Sequence, residues 1–249
     1  MEIKFWGTRG SIPVPGWSGE YEWIGEVPFE EMPHAFNPKQ GYLITCNHKI
    51  ISDDYPYVLG NVWMNGYRAK RLEELINAKK FLSIDDFKAM QNDLKCIPGL
   101  EFIKHLKDLK HSDPDIMLAL DYLRSWDGNL TKDSIAGTVY EVARHFMIND
   151  ILEKGLDEEL IHSFRGKGFH PLLYQASEFY GHDTVVLLRL LDNSDSEWIK
   201  SAGGHDELIF RNLKRTIVWL RKTFGNNPKN WYWGRLHKAA FNHAFSVKK

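Results

Sequence analysis

The sequence predicts an α+β chain, with a few strands within residues 1–60 and a mainly α-helical region over 61–249. Three observations carry this. Pro and Gly punctuation concentrates in the first sixty residues, in "SIPVPGW", "EVPFEEMP" and "NPKQG". Short apolar runs rich in aromatic or β-branched residues lie between these breaks. From about Asn65 onward the apolar residues recur at helical spacing.

Taken in order, "EIKFW", "YEWIGEV" and "GYLITC" are the expected strands. In "SIDDFKAMQNDL", Ser83 is a fitting N-cap, with Asp86 in the favourable first turn. Ile84, Phe87, Met90 and Leu94 follow at helical intervals. "DSIAGTVYEVARHFMINDIL" places Ile135, Val139, Val142 and Phe146 on one face. "DELIFRNLKRTIVWLRKTFG" is the clearest helix. Asp206 and Glu207 lie in its first turn, Ile209, Leu213, Ile217, Leu220 and Phe224 form its stripe, and Lys222 and Gly225 mark its end. Such stripes read as core, and runs such as "KHLKDLKHSDPD" read as solvated faces and turns.

The bulk numbers exclude several function classes. With 249 residues, 43% apolar and 26% charged, the chain has the composition of a globular protein with an ample core. A formal net charge of −1 argues for neither nucleic acid nor an anionic membrane surface as partner. No apolar run approaches the roughly 20 residues that span a bilayer, and the opening "MEIKFWGTRG" lacks the apolar segment of a signal peptide. Cys46 and Cys96 form no CxxC and no metal-ligand spacing. Nine Trp, ten Tyr and fourteen Phe read first as core, and only second as an aromatic substrate pocket.

Motifs for self-sufficient chemistry are missing. Eleven histidines include no HxH and no HExxH, and His237 and His243, six apart, do not share a helix face. "GTRGS" lacks the Lys-Ser/Thr of a P-loop, and no GxSxG elbow occurs. Asp53 and Asp54 are adjacent, so on an extended chain they point apart; they read as a turn before Tyr55-Pro56. The sharpest local feature is "GYLITCNHKIISDDYPY", an apolar run that turns abruptly polar at Asn47 and His48.

An ordered set of segments carries a resemblance. "IPVPGWSGEYEWIGEVPFEEMPHAFNPKQGYLITCNHKIISDDYPY", "GYRAKRLEELI", "LRSWDGNLTKDSIAGTVY" and "NWYWGRLHKAAFNHAFSV" resemble the middle of the β chain of the penicillin acylase family, over residues 12–249. That family comprises N-terminal-nucleophile amidohydrolases acting on linear amides. The resemblance implies part of an αββα sandwich followed by helices of the same β-chain domain, and a small acyl amide as substrate. It also implies that "T-C-N-H" corresponds to the family's T-A-N-N, with Asn47 as oxyanion-hole donor and His48 in place of the second Asn. Arg68 in "GYRA" corresponds to the arginine that supports the site.

The nucleophilic serine of that family begins the β chain, upstream of the matched region, so the chain alone is expected to be inactive. Its implied partners are the α chain and the N-terminal β segment. Ser11 mimics a Gly-Ser junction but lies in the wrong place. No cofactor is implied: where a family aspartate ligates calcium, this chain has Val58 and Leu59. Residues 1–16 are also similar to the first strand of metallo-β-lactamase-fold hydrolases, but no HxHxDH motif follows. The competing class is a non-enzymatic helical interaction domain whose exposed sheet edge seeks a partner strand. Trp231 and Trp233 in "WYWGRLH" read as packing a loop on the core, with His237 satisfying a carbonyl.

Overall fold

The structure, a computed structural model, describes residues 26–60, 63–165 and 182–239. The backbone forms two compact units, Met1–Phe81 and Leu82–Lys249. The expected strands "EIKFW" and most of "YEWIGEV" lie outside the described residues.

Among its described residues the first unit contains a 3₁₀ turn, Phe29–Glu31, and one helix, α1 (Tyr67–Asn77). Among the described residues it has no strand. The expected strand "GYLITC" is loop, and a single parallel bridge joins His48 to Met64. A strand is stable only as one member of a ladder, and residues 42–45 have no ladder partner among the described residues. Side-chain tethers do the joining instead. Tyr55 and Tyr57 donate their hydroxyls to Glu31, at 2.8 Å to its backbone oxygen and 2.5 Å to its carboxylate. Tyr42 donates to Glu73 of α1 at 3.1 Å. Asp53 and Asp54 form the expected turn, and Lys49 closes on Asp53.

The described residues of the second unit form helices joined by loops: α2 (Ile84–Gln91), α3 (Ile97–Lys104), α4 (Pro114–Arg124), α5 (Ile135–Gly155), α6 (Glu158–Arg165), α7 (His182–Asp192), α8 (Glu197–Ser201), α9 (His205–Phe224) and α10 (Trp233–Leu236). Local signals start and stop these helices. Ser83 and Asp86 form a reciprocal capping box at α2. Asp113 caps α4, with Pro at its first position. Ser134 caps α5, and Gly225, at φ 88°, ends α9.

The core lies where α4, α5 and α9 pack on one another. Leu120, Leu123, Met147, Ile148, Ile151, Leu208, Leu213 and Ile217 are buried there, each contributing about 1.5–3 kcal/mol relative to exposure. The single-faced stripe read for α5 understates its burial. Val139 and Val142 are buried, but so are Tyr140, Ala143, Met147 and Ile148, because α5 is the central helix and meets neighbours on several sides.

Two stretches singled out in the sequence prove to be architecture. In "LRSWDGNL", Asp127 accepts from the Asn129 backbone at 2.9 Å and Gly128 takes φ 83°. Trp126 presses on Gly99 of α3, where an added Cβ would come within 2.5 Å of the indole. In "WYWGRLH", Trp231 is fully buried and donates its indole N–H to the Gly225 carbonyl at 2.8 Å. The next residues dock on the turn before α5: the Trp233 amide donates to Ser134 O at 3.0 Å, and the Gly234 amide to Lys132 O at 2.7 Å. The His237 ring stacks on Trp233, with centroids 4.9 Å apart.

Candidate functional site

The polar edge at Asn47 is built by the first unit. Residues 42–45 carry no regular secondary structure, and Asn47 then takes a left-handed conformation, φ 60°, which turns the chain. Asn tolerates that region better than most residues because its short amide hydrogen-bonds locally. The Asn47 carbonyl accepts from the Met64 amide at 2.7 Å, tying the turn to the segment that leads into α1. The Cys46 amide donates to His48 Nδ1 at 3.3 Å, which makes Nδ1 an acceptor and leaves the ring proton on Nε2.

Arg68 grips this turn from the second residue of α1. Its Nη2 donates to the Cys46 carbonyl at 2.6 Å and to Asn47 Oδ1 at 2.9 Å. A guanidinium can only donate, so the amide end facing it must be oxygen. The other end, Nδ2, is thereby directed away as a donor. A charged donor on Oδ1 also polarises the amide and strengthens its N–H groups. Arg68 stands in the first turn of its helix, where the dipole disfavours cations, and no acidic residue occupies that turn. Local preference does not explain an arginine there; its contacts with residues 46 and 47 do.

A surface cavity of about 860 Å³ lies beside this turn. Thr45, His48 and Ala69 line it, together with Leu43, Ile44 and Lys70. Asn47 and Arg68 themselves are solvent-exposed.

Ser11 lies outside the described residues. Cys96 belongs to the second unit, and burial above all pushes its thiol up to about 11, so it is not a nucleophile at neutral pH. Among the described residues no group of three or more His, Cys, Asp or Glu is placed to hold a metal ion.

The family is decided by comparison with known sequences. The sequence model of the penicillin amidase family matches residues 3–249. The chain belongs to the penicillin amidase family. Penicillin acylase 2 proenzyme of Pseudomonas sp. (strain SE83) is 29% identical over 246 residues, covering 96% of this chain and 29% of the relative. An acyl-homoserine lactone acylase, QuiP, of Pseudomonas syringae pv. tomato is 28% identical over 248 residues, covering 92% of this chain and 29% of the relative. Penicillin G acylase of Escherichia coli is 31% identical over 260 residues, covering 90% and 29%. This penicillin amidase family member therefore spans about three tenths of the length of the curated relatives it matches. Its fold is similar to that of a thermostable penicillin G acylase from Alcaligenes faecalis, with a TM-score of 0.59 at 22% identity, over 86% of this chain and 42% of that one.

Proposed function

We propose that this chain is part of an amidohydrolase that cleaves linear amides, either β-lactam side-chain amides or N-acyl amides such as acyl-homoserine lactones, and that Asn47 stabilises the oxyanion. The observation that carries the reading is the Arg68–Asn47 hydrogen bond, which fixes the amide with its N–H end available. In the proposed reaction a serine Oγ attacks the substrate carbonyl carbon, and the serine's own α-amino group takes the hydroxyl proton. The carbonyl oxygen becomes an oxyanion and accepts from Asn47 Nδ2. Collapse of the intermediate breaks the C–N bond, the amine leaves with the proton, and water then hydrolyses the acyl-enzyme. A donor preset at the oxyanion's position favours the transition state over the substrate.

The serine in this scheme is carried by polypeptide outside the chain, and Ser11 plays no part. In the assembled enzyme the first unit adjoins an αββα sandwich whose strands, like the serine, come from the α chain and the N-terminal part of the β chain. Residues 61–249 are the helical region of the same domain. By itself the chain is inactive.

The test replaces the corresponding segment of the Escherichia coli penicillin G acylase with this chain and assays a chromogenic acyl-anilide. The chimera is expected to turn over, with Asn47→Ala lowering the rate about 100- to 1000-fold, the usual cost of losing one oxyanion donor. Full activity in the Asn47→Ala chimera would overturn the assignment. So would turnover by the isolated chain that survives Ser11→Ala together with Asn47→Ala.

A further inference from the structure

His105 and His205 are 100 residues apart in sequence, yet helix ends in the second unit bring them together. His105 is the C-cap of α3, His205 opens α9, and Asp192 closes α7. His205 Nδ1 lies 2.7 Å from Asp206 Oδ1, and His105 Nε2 lies 3.4 Å from Asp192 Oδ1. An ionised carboxylate only accepts, so each imidazole turns its N–H toward its own carboxylate. The two remaining nitrogens, His105 Nδ1 and His205 Nε2, then carry lone pairs and face each other at 3.4 Å. The rings are tilted by 50° with centroids 5.4 Å apart, so they do not stack.

Two lone pairs at that distance repel unless a proton or a metal ion lies between them. Zinc binds imidazole nitrogen at about 2.0–2.1 Å in tetrahedral geometry, which sets two such nitrogens roughly 3.4 Å apart. The outer carboxylates take the role they have in carboxylate–histidine–zinc arrangements, fixing the tautomer and raising ligand basicity. Both side chains keep some solvent access, at 16% for His105 and 20% for His205, so an ion can enter and water can complete its coordination.

We propose that His105 and His205 form a two-imidazole site for a divalent transition metal, with Zn²⁺ the best match, joining the end of α3 to the start of α9.

The test titrates the purified chain, stripped with chelator, with ZnCl₂ at pH 7.5, followed by calorimetry and by thermal unfolding. One equivalent is expected to bind and to raise the melting temperature. His105→Gln and His205→Gln should each abolish this, Asp206→Asn should weaken binding about 10-fold or more, and His145→Gln, a surface change elsewhere, should leave it intact. Nitrogen-15 shifts of the His105 and His205 rings on zinc addition provide the same readout without a variant. Absence of zinc binding by the wild-type chain, binding unchanged in both histidine variants, or a proton shared between the two rings that zinc does not displace would overturn the site.

Discussion

At the scale of single residues, Asn47 serves two purposes that a mutation can separate. Its backbone occupies φ 60° and its side chain holds the Arg68 guanidinium. Glycine adopts that φ without strain and alanine does not. Asn47→Gly is therefore expected to keep the turn, and Asn47→Ala to destabilise it by about 1 kcal/mol more. If the side chain matters only for the turn, the acyl-anilide activity of the chimera recovers in the glycine variant. If it holds the oxyanion, both variants are equally slow while only the alanine variant melts earlier. Recovery in Asn47→Gly would leave Asn47 as a turn residue.

Among the helices, one carboxylate adds a polar tie between α5 and α9. Asp150 accepts from Arg211 Nη2 at 2.6 Å, Arg211 Nε at 2.9 Å and Asn212 Nδ2 at 2.9 Å. Burial pushes its pKa up, but the hydrogen bonds from Asn212 and Arg211 and the charges of Arg211 and Lys154 outweigh burial, and the net direction is down. A carboxyl held below its unfolded value stabilises the fold above that value, about pH 4, and the contribution is lost as pH falls through the lowered pKa. Urea midpoints measured from pH 5 down to pH 2 should therefore fall less steeply in Asp150→Asn than in the wild type. Parallel curves would show that Asp150 does not contribute to the acid transition. The helices themselves were legible in the sequence, because caps and stripes are local: Ser83 with Asp86 and the α9 stripe ending at Gly225 stand where the pattern put them. What local pattern cannot carry is pairing. It expected a strand in "GYLITC", and among the described residues that segment has no bridge; the nearest one is at His48. Arg68 and Asn47, 21 residues apart, were associated through family resemblance and not through spacing. His105 and His205, separated by most of the helical region, left no sequence signal.

For the molecule as a whole, the decisive contrast is in where apolar surface goes. Among the described residues of the first unit, Cys46 is the one buried hydrophobic side chain, whereas Phe29 is 86% exposed, Phe36 89% and Phe81 81%, with Leu43, Ile50 and Val58 also exposed. The second unit buries Phe102, Tyr140, Trp231 and the aliphatic face of α9. Folding free energy comes mainly from removing apolar surface from water, so the second unit has its own source of stability and the described part of the first does not. Under the proposed function, the exposed apolar side chains at Leu43, Ile50 and Val58 are the surface that the rest of an acylase would cover. Amide hydrogen exchange distinguishes the cases. In the isolated chain, amides of α5 and α9 should exchange only by global unfolding, and those of residues 42–50 close to the rate of an unfolded peptide. In the acylase chimera, residues 42–50 should slow by about 100-fold or more, equivalent to at least about 3 kcal/mol of local opening free energy. Equal protection in both proteins would mean that the first unit is already complete, and that its apolar surface serves something other than the rest of an acylase.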